Sequence, residues 1–264
     1  MRLRALTPVV ASLLLAGCAV LPPAPASSAP PPRTSAASAP PTPSSTPSRP
    51  AATPSAPSSP AATATPTSPS PSPTVPPADD RKGAALDEAY TVRGIPVVSK
   101  DHPISRHYQR KHPTDHGLER EVAAALARMT AAARADGVTV RVRSAYRSYA
   151  EQDRILKRKI VEYGDESLAR RYNAAPGRSE HQTGLAVDLW DGVTWGLAVR
   201  NTKVGKWLWK HAREYGFILR YPPGKEKITG YAYEPWHFRY LGTEHSLDFK
   251  PNTSLTLEEY LGLA

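Results

Sequence analysis

The chain has 264 residues, a formal net charge of +10 and a single cysteine. One cysteine excludes an internal disulfide framework and a metal site built from several thiolates. The positive charge could favour an anionic neighbour, such as a wall polymer, lipid head groups or nucleic acid, but solvated surface is the default for most of these charges.

Residues 1–18 predict a signal peptide that ends at a lipidated cysteine. Arg2 and Arg4 precede an apolar run that is too short to span a membrane comfortably. The sequence LAGC at residues 15–18 resembles the lipobox of bacterial lipoproteins, which implies that Cys18 is lipidated and becomes the mature N-terminus. A plain secretory signal with an incidental cysteine is the alternative. Either signal exports the chain, which argues against nucleic acid as a partner.

Residues 19–82 predict a disordered linker. Between Leu21 and Asp80 lie 20 of the 29 prolines, no aromatic residue and only two basic residues. Such a segment cannot bury enough apolar surface to offset the entropy of ordering. About sixty residues of flexible coil span on the order of 45 Å, so the linker would let an anchored domain act away from its membrane.

Residues 83–264 have an ordinary composition and are long enough for one domain with a hydrophobic core. Alternating apolar and basic residues from Val138 to Ser144 predict a half-buried strand. Helical spacing and capping patterns predict three helices before the middle of this domain, at residues 118–135, 148–163 and 166–172.

The second half of the domain mixes strands and helices. Helix predictions cover residues 204–215, where Gly216 ends the pattern, and residues 255–261. Strands are predicted at residues 184–189, 217–221 and 236–241. The irregular order favours an α+β fold in which helices pack on a small, mainly antiparallel sheet.

The stretch SEHQTGLAVDL, residues 179–189, contains His181 and Asp188 around a small apolar middle. If the second half of this stretch is extended, its apolar side chains face the core while Asp188 points into a cleft. Gly184 allows a tight backbone turn or a close approach between the two polar residues.

A second stretch, YEPWHFRY, places Glu234 three residues before His237. Two histidines and one aspartate, with a fourth position open to water, form the ligand set of a catalytic zinc site. Glu234 could take the proton of that water and pass it to a leaving amine. No HExxH pattern is present, and single histidines or aspartates are more often ordinary surface, core or turn residues. Spacing alone therefore leaves the metal site open.

Four motifs, in order, resemble those of the VanY-type D-alanyl-D-alanine carboxypeptidases. SEHQTGLAVDL resembles the family signature S-x-H-x-x-G-x-A-x-D, and EPWHFRY resembles its E-x-x-H element. SAYRS at residues 144–148 resembles its substrate motif, and residues 216–242 resemble its closing segment. The similarity runs over roughly residues 92–246.

The resemblance implies one zinc ion per chain, bound by His181, Asp188 and His237. It implies Glu234 as the general base and then the general acid. It also implies that Arg147 stabilises the developing oxyanion or holds a substrate carboxylate, tasks that suit a planar, permanently charged group. The alternative for Arg147 is an ordinary surface salt bridge.

Six further residues match positions that line the substrate cleft of the family: Ser144, Tyr146, Gln152, Ser179, Tyr221 and Trp236. The aromatic members could equally be core side chains with a polar edge at water. Ser148 is assigned to helix capping.

Four histidines crowd the segment before the first long helix: His102, His107, His112 and His116. Pro103 and Pro113 break any regular ligand spacing there, and the segment has no carboxylate-rich surroundings. We expect exposed loop histidines rather than a second metal site.

The implied function is that of an exported, lipid-anchored, monomeric zinc D,D-carboxypeptidase that removes the terminal D-alanine of peptidoglycan stem peptides. Its partners would be the stem peptides and, through the N-terminal lipid, the membrane; nucleic acid is not expected. The alternatives are L,D-carboxypeptidase action on tetrapeptide stems, endopeptidase action, and a non-catalytic wall-binding lipoprotein. A non-catalytic relative would be expected to have lost a zinc ligand or the base, and this chain retains all four residues.

Overall fold

The computed structural model describes residues 75–114, 116–251 and 253–264. Cys18, the predicted signal peptide and most of the predicted linker lie outside these residues. Within the described part of the chain, no helix combines the length and the apolar character needed to cross a bilayer.

The first two strands of the domain form a small hairpin. Strands β1 (Tyr90–Val92) and β2 (Ile95–Val97) pair antiparallel around Arg93 and Gly94, which both have positive φ. Positive φ at both central residues is what a tight type I′ turn requires. This hairpin was not predicted, because alternation is hard to recognise over three residues.

The three helices predicted in the first half of the domain are confirmed. They are α1 (Arg120–Ala135), α2 (Tyr149–Tyr163) and α3 (Glu166–Tyr172). Ser148 caps α2, because its side chain accepts a hydrogen bond from the Glu151 backbone N–H. Helix α1 buries one apolar face, formed by Val122, Ala125, Leu126, Met129 and Ala133.

A four-stranded sheet forms the centre of the domain. Its strands are β3 (Arg141–Ser144), β4 (Ala186–Trp190), β5 (Phe217–Leu219) and β6 (His237–Tyr240), in the spatial order β3-β4-β6-β5. Every pairing in this sheet is antiparallel, which confirms the predicted α+β fold.

Strand β3 differs from its prediction. It is shorter than the predicted 138–144, and Val142 is 45% exposed, because β3 lies at the edge of the sheet. Only Val138 and Val140, which precede it, pack against the core. The alternating pattern is therefore real, but its apolar side is only partly buried and contacts the core before the strand begins.

The second half of the chain adds four helices: α4 (Lys203–His211), α5 (Glu226–Thr229), α6 (Thr243–Ser246) and α7 (Leu257–Leu261). The predicted helix at 204–215 is confirmed, although its last turn tightens into a 3₁₀ helix before Gly216. The predicted closing helix is α7, which begins two residues later than expected.

The two faces of β4 differ in chemistry, as predicted. Leu185, Val187 and Leu189 belong to the main core, which also includes residues of α1 and α4. Asp188 points to the opposite face, where it meets the polar residues described next. A second apolar cluster joins the β1–β2 hairpin to α7.

Candidate metal centre

His181, Asp188 and His237, the three residues selected as ligands, lie together. One possible ligand atom from each lies within 4.8 Å of the others, and all three residues are buried. His181 Nε2 lies 3.2 Å, and His237 Nδ1 3.1 Å, from the same Asp188 oxygen, Oδ1. Two ring nitrogens and a carboxylate thus converge on one point.

The backbone explains how these residues meet. In the β4–β6 ladder Asp188 is directly opposite His237, and in the β3–β4 ladder it is opposite Ser144. His181 comes from a 3₁₀ turn, Glu180–Thr183, which ends at Gly184 with φ of 72°. A Cβ on Gly184 would lie 2.6 Å from the Gly117 carbonyl oxygen. Glycine is required there both for the backbone angle and for the close approach.

In each histidine, the ring nitrogen that faces away from Asp188 also has a hydrogen-bond partner. His181 Nδ1 faces the Ala145 carbonyl oxygen, and His237 Nε2 lies 3.3 Å from Glu180 Oε2. A carbonyl oxygen can only accept a hydrogen bond, so the proton of neutral His181 lies on Nδ1 and the lone pair on Nε2. That lone pair is directed toward Asp188, as a metal ligand requires.

The surroundings of the two histidines shift their pKa values in opposite directions. Burial, followed by the positive charge of Arg147, lowers the pKa of His181 to about 4. Burial also disfavours the charged form of His237, but hydrogen bonds to Asp188 and Glu180 outweigh it and raise the pKa to about 9. In the metal-free protein, His237 is therefore in its positively charged form near neutral pH, with a proton on each ring nitrogen.

Glu234 lies beside the three ligand candidates without joining them. Its Oε2 is 3.7 Å from His237 Nδ1, and the residue is 6% exposed. Burial raises the pKa of Glu234 to about 8, against the opposing charge of His237. A carboxyl group that gains and loses a proton near neutral pH is suited to general acid and base chemistry.

Arg147 lies at the same centre rather than on the outer surface. Its Nη2 is 3.3 Å from Asp188 Oδ2, and its Nη1 donates to Gln152 Oε1 at 2.8 Å. Its buried Nε has no hydrogen-bond partner among the described residues. The guanidinium is thus held by two neighbours, and three of its five N–H donors have no partner among the described residues.

The six residues matched to the family's substrate cleft divide into two groups. A cleft of about 870 Å³ contains the metal centre, and four of the six line it: Ser144, Ser179, Tyr221 and Trp236. Tyr146 is not among the cleft-lining residues; its ring packs under Arg110, whose Cζ is 3.7 Å from the ring centroid. Gln152 is 1% exposed and reaches the site only through its hydrogen bond to Arg147.

The four clustered histidines remain apart from the site. Three are exposed as expected: His107, His112 and His116. His102 corrects the expectation, because it is partly buried, stacks on Tyr90 and pairs with Asp79 at 2.9 Å. These contacts attach the start of the domain to the β1–β2 hairpin.

Residues on both sides of the centre were not predicted from the sequence. Glu180 lies behind His237 and accepts hydrogen bonds from Arg220 and Arg239. On the cleft wall, the Arg143 guanidinium lies over the rings of Trp190 and Trp195, at 4.8 and 4.1 Å from their centroids. Glu180 stands at a variable position of the S-x-H-x-x-G-x-A-x-D signature, and charged residues at such positions are usually solvated, so only the fold reveals these roles.

The geometry of this centre agrees with the comparisons with known proteins. The family model VanY, D-alanyl-D-alanine carboxypeptidase, matches residues 115–243. The bifunctional D-Ala-D-Ala dipeptidase and D-Ala-D-Ala carboxypeptidase VanXYC of Enterococcus gallinarum is 35% identical over 180 residues, which cover 63% of this chain and 92% of that protein. This chain belongs to the VanY family.

Two other comparisons extend this result. The putative carboxypeptidase YodJ of Bacillus subtilis (strain 168) is 44% identical over 54% of this chain and 53% of its own length, so the chain spans about half of that relative. A crystal structure of a mutant of the vancomycin-resistance D,D-pentapeptidase VanY in complex with Zn(II) has a TM-score of 0.55 and 38% identity, over 62% of this chain and 97% of that one. L,D-carboxypeptidases also occur among the similar solved structures.

Proposed function

We propose that this chain is a zinc-dependent D,D-carboxypeptidase that removes the terminal D-alanine from peptidoglycan stem peptides. One observation carries the proposal: His181, Asp188 and His237 converge within 4.8 Å in a buried site, with the carboxylate of Glu234 beside them. Membership of the VanY family gives the substrate class.

The donor set fits zinc. Two imidazole nitrogens and one carboxylate are a ligand set of catalytic zinc sites, although other divalent ions also accept it. The His181 tautomer agrees, because its outward nitrogen bears the proton and its inward nitrogen bears the lone pair. Zinc bound there would lower the pKa of a water molecule to about 7 and polarise the substrate carbonyl.

Glu234 performs the proton transfers in this proposal. It accepts a proton from the water whose oxygen attacks the carbonyl carbon of the penultimate residue. It then delivers that proton to the amine nitrogen as the C–N bond breaks, so free D-alanine leaves. Its buried position excludes bulk water from this exchange, and a carboxylate placed beside the ligand candidates can both accept the proton and return it.

Arg147 stabilises negative charge on the substrate. Its guanidinium is already fixed by Asp188 and Gln152, so little side-chain freedom remains to be lost when substrate binds. A permanent cation there stabilises either the developing charge on the carbonyl oxygen or the terminal carboxylate of the peptide.

The remaining walls of the cleft would bind the part of the stem peptide that lies on the N-terminal side of the cleaved bond. A carboxypeptidase releases one residue, and a cleft of about 870 Å³ is much larger than one alanine. Aromatic side chains at Tyr221, Trp195 and Trp236 line it, together with the cation of Arg143. These groups would bind the stem by apolar contact and by attraction to its carboxylates.

An assay on defined stems tests the activity. The purified protein is incubated with pentapeptide and tetrapeptide stems, and the products are weighed by mass spectrometry. We expect loss of one D-alanine from the pentapeptide. Loss only from the tetrapeptide would replace the D,D assignment by L,D-carboxypeptidase action, and internal cleavage would indicate an endopeptidase.

We also propose export and attachment to a membrane through a lipid on Cys18, with the catalytic domain outside the cytoplasm as a monomer. The support is the order of a basic start, an apolar run and the LAGC sequence before a proline-rich stretch. Cell fractionation of the full chain and of Cys18→Ser tests the anchor, and analytical ultracentrifugation tests the monomer. Release of the variant alone from the membrane fraction is expected; equal distribution would contradict lipidation.

A further inference from the structure

Glu180 is a buried carboxylate that the proposed mechanism does not use. It is 1% exposed and begins the turn that carries His181. Its Oε1 accepts hydrogen bonds from Arg220 Nε at 2.8 Å and Arg239 Nη1 at 2.9 Å. Its Oε2 lies 3.3 Å from His237 Nε2. One oxygen therefore serves the two arginines, and the other faces the ligand candidate.

The two arginines hold Glu180 in this orientation. Both are 0% exposed. Arg220 donates to both oxygens of Glu258 on α7, at 2.9 and 2.6 Å, and Arg239 Nη2 donates to the Pro96 carbonyl on β2 at 2.6 Å. Two guanidinium groups and two carboxylates balance their charges, which offsets part of the cost of burying each one.

We propose that Glu180 is a positioning residue that fixes the tautomer of His237 and so prepares it to bind metal. A carboxylate between two guanidinium groups accepts hydrogen bonds and donates none, so the proton of neutral His237 lies on Nε2. Nδ1, which faces Asp188, then carries the lone pair. This inference rests on the proposed metal site, and it assigns to Glu180 a part in forming it.

The same contacts connect His237 to elements outside the segment matched by the family model. That segment is 115–243, whereas β2 and α7 lie before and after it. Glu258 reaches His237 through Arg220 and Glu180, and Pro96 reaches it through Arg239 and Glu180. The flanking elements thus help to set the orientation of a ligand inside the matched segment.

The substitution Glu180→Gln tests the proposal in the full chain. The two guanidinium groups would draw the amide oxygen toward themselves and leave the amide N–H₂ facing His237 Nε2. That donor favours a proton on Nδ1, the nitrogen that must bind metal. We expect zinc affinity, measured with Zn²⁺ against a chromophoric chelator, to fall about 10- to 100-fold. The ¹⁵N shifts of His237 in the metal-free protein, recorded at a pH high enough for the ring to be neutral, should report the exchanged tautomer.

Glu259→Gln is the matched control, since it removes a neighbouring carboxylate of α7 that pairs with Lys225 and does not contact Arg220. Its zinc affinity should stay within about twofold of the unsubstituted chain, while Glu258→Gln should lower affinity by less than Glu180→Gln. If Glu180→Gln lowers thermal stability but leaves the zinc affinity and the tautomer unchanged, Glu180 is merely structural and the proposal is wrong.

A double variant and the tautomer of the metal-free protein cover two other outcomes. If Glu180→Gln does not fold, the double variant Glu180→Gln/Arg239→Gln removes one charge of each sign, and the same two readouts apply to it. If the unsubstituted chain binds no zinc, the proposed function fails. The tautomer in the metal-free protein still tests the positioning role in that case.

Discussion

Asp188 and His237 are direct cross-strand partners in the β4–β6 ladder, although 49 positions separate them in the chain. Antiparallel pairing therefore delivers two of the three ligand candidates as neighbours. A slip of one residue in this register would turn one of the two side chains to the apolar face. The core residues Val187 and Phe238, which alternate with them, hold the register.

Glu234→Ala should retain zinc and lose turnover. Glu234 lies beside the centre but is not needed as a ligand, so zinc content after dialysis should be unchanged. Loss of the group that transfers the proton should lower kcat by a factor of about 10² to 10⁴. The control is Glu162→Ala, which removes another glutamate of the same cleft that pairs with Lys159. Unchanged hydrolysis by the Glu234 variant would remove this residue from the mechanism.

Arg147→Lys should lower kcat/KM while zinc content stays constant. Lysine keeps the charge but cannot reach Asp188 and Gln152 together with a planar group. A loss of roughly 100-fold is expected if the guanidinium stabilises the oxyanion, and it should appear in kcat. A loss confined to KM would instead assign Arg147 to the terminal carboxylate. Arg154→Lys, at an exposed position of α2, is the control and should behave as the unsubstituted enzyme.

Zinc binding should release protons and strengthen with rising pH. The pKa of His237 is raised to about 9 in the metal-free protein, so this ring is mostly protonated at pH 7. A metal must displace that proton, and affinity should rise up to tenfold per pH unit until about pH 9. Calorimetric titrations in two buffers of different ionisation enthalpy measure the number of protons released. An affinity that does not vary between pH 6 and pH 8 would contradict the assignment.

The raised pKa of His237 also predicts that the metal-free protein becomes less stable as the pH rises. Its folded value of about 9 exceeds the ordinary value of 6.5, so the stabilisation is complete below about pH 6.5 and is lost as pH rises through 9. Zinc-loaded and metal-free protein should therefore diverge in Tm as the pH increases. Thermal melts at pH 6.5 and pH 9, with and without Zn²⁺, test this divergence.

Gly184→Ala should destabilise the fold more than Gly224→Ala. Both glycines have positive φ, 72° and 77°, so alanine is strained at each. Only at Gly184 would the new methyl group meet backbone, 2.6 Å from the Gly117 oxygen; at Gly224 no atom lies within 4 Å. The difference in the free energy of unfolding from urea titrations should be about 1–3 kcal/mol. Equal losses would show that the loop around Gly117 relaxes without cost.

The sequence predicted five of the seven helices among the described residues, three of the four sheet strands closely, and the ligand candidates; the single-turn helices α5 and α6 were not predicted. These features depend on local periodicity, capping residues and short motifs, which are visible in one chain. The roles of Glu180, Arg220 and Arg239 could not be predicted, because a charged residue in a sequence is expected to be solvated. The β1–β2 hairpin, which supplies Pro96 to this group, was missed for its shortness. The features that could not be predicted are contacts between segments that lie far apart in the chain.

The group formed by Glu180, Arg220, Arg239 and Glu258 has a consequence for engineering this enzyme. Buried charges can often be replaced by apolar side chains of similar volume with no loss, or even a gain, of stability. Such a replacement here would remove the acceptor behind His237 and with it the preset lone pair on Nδ1. A search for heat resistance alone would favour these substitutions, and the selected protein would melt later and hold its metal poorly. Thermostability and metal affinity should therefore be screened together.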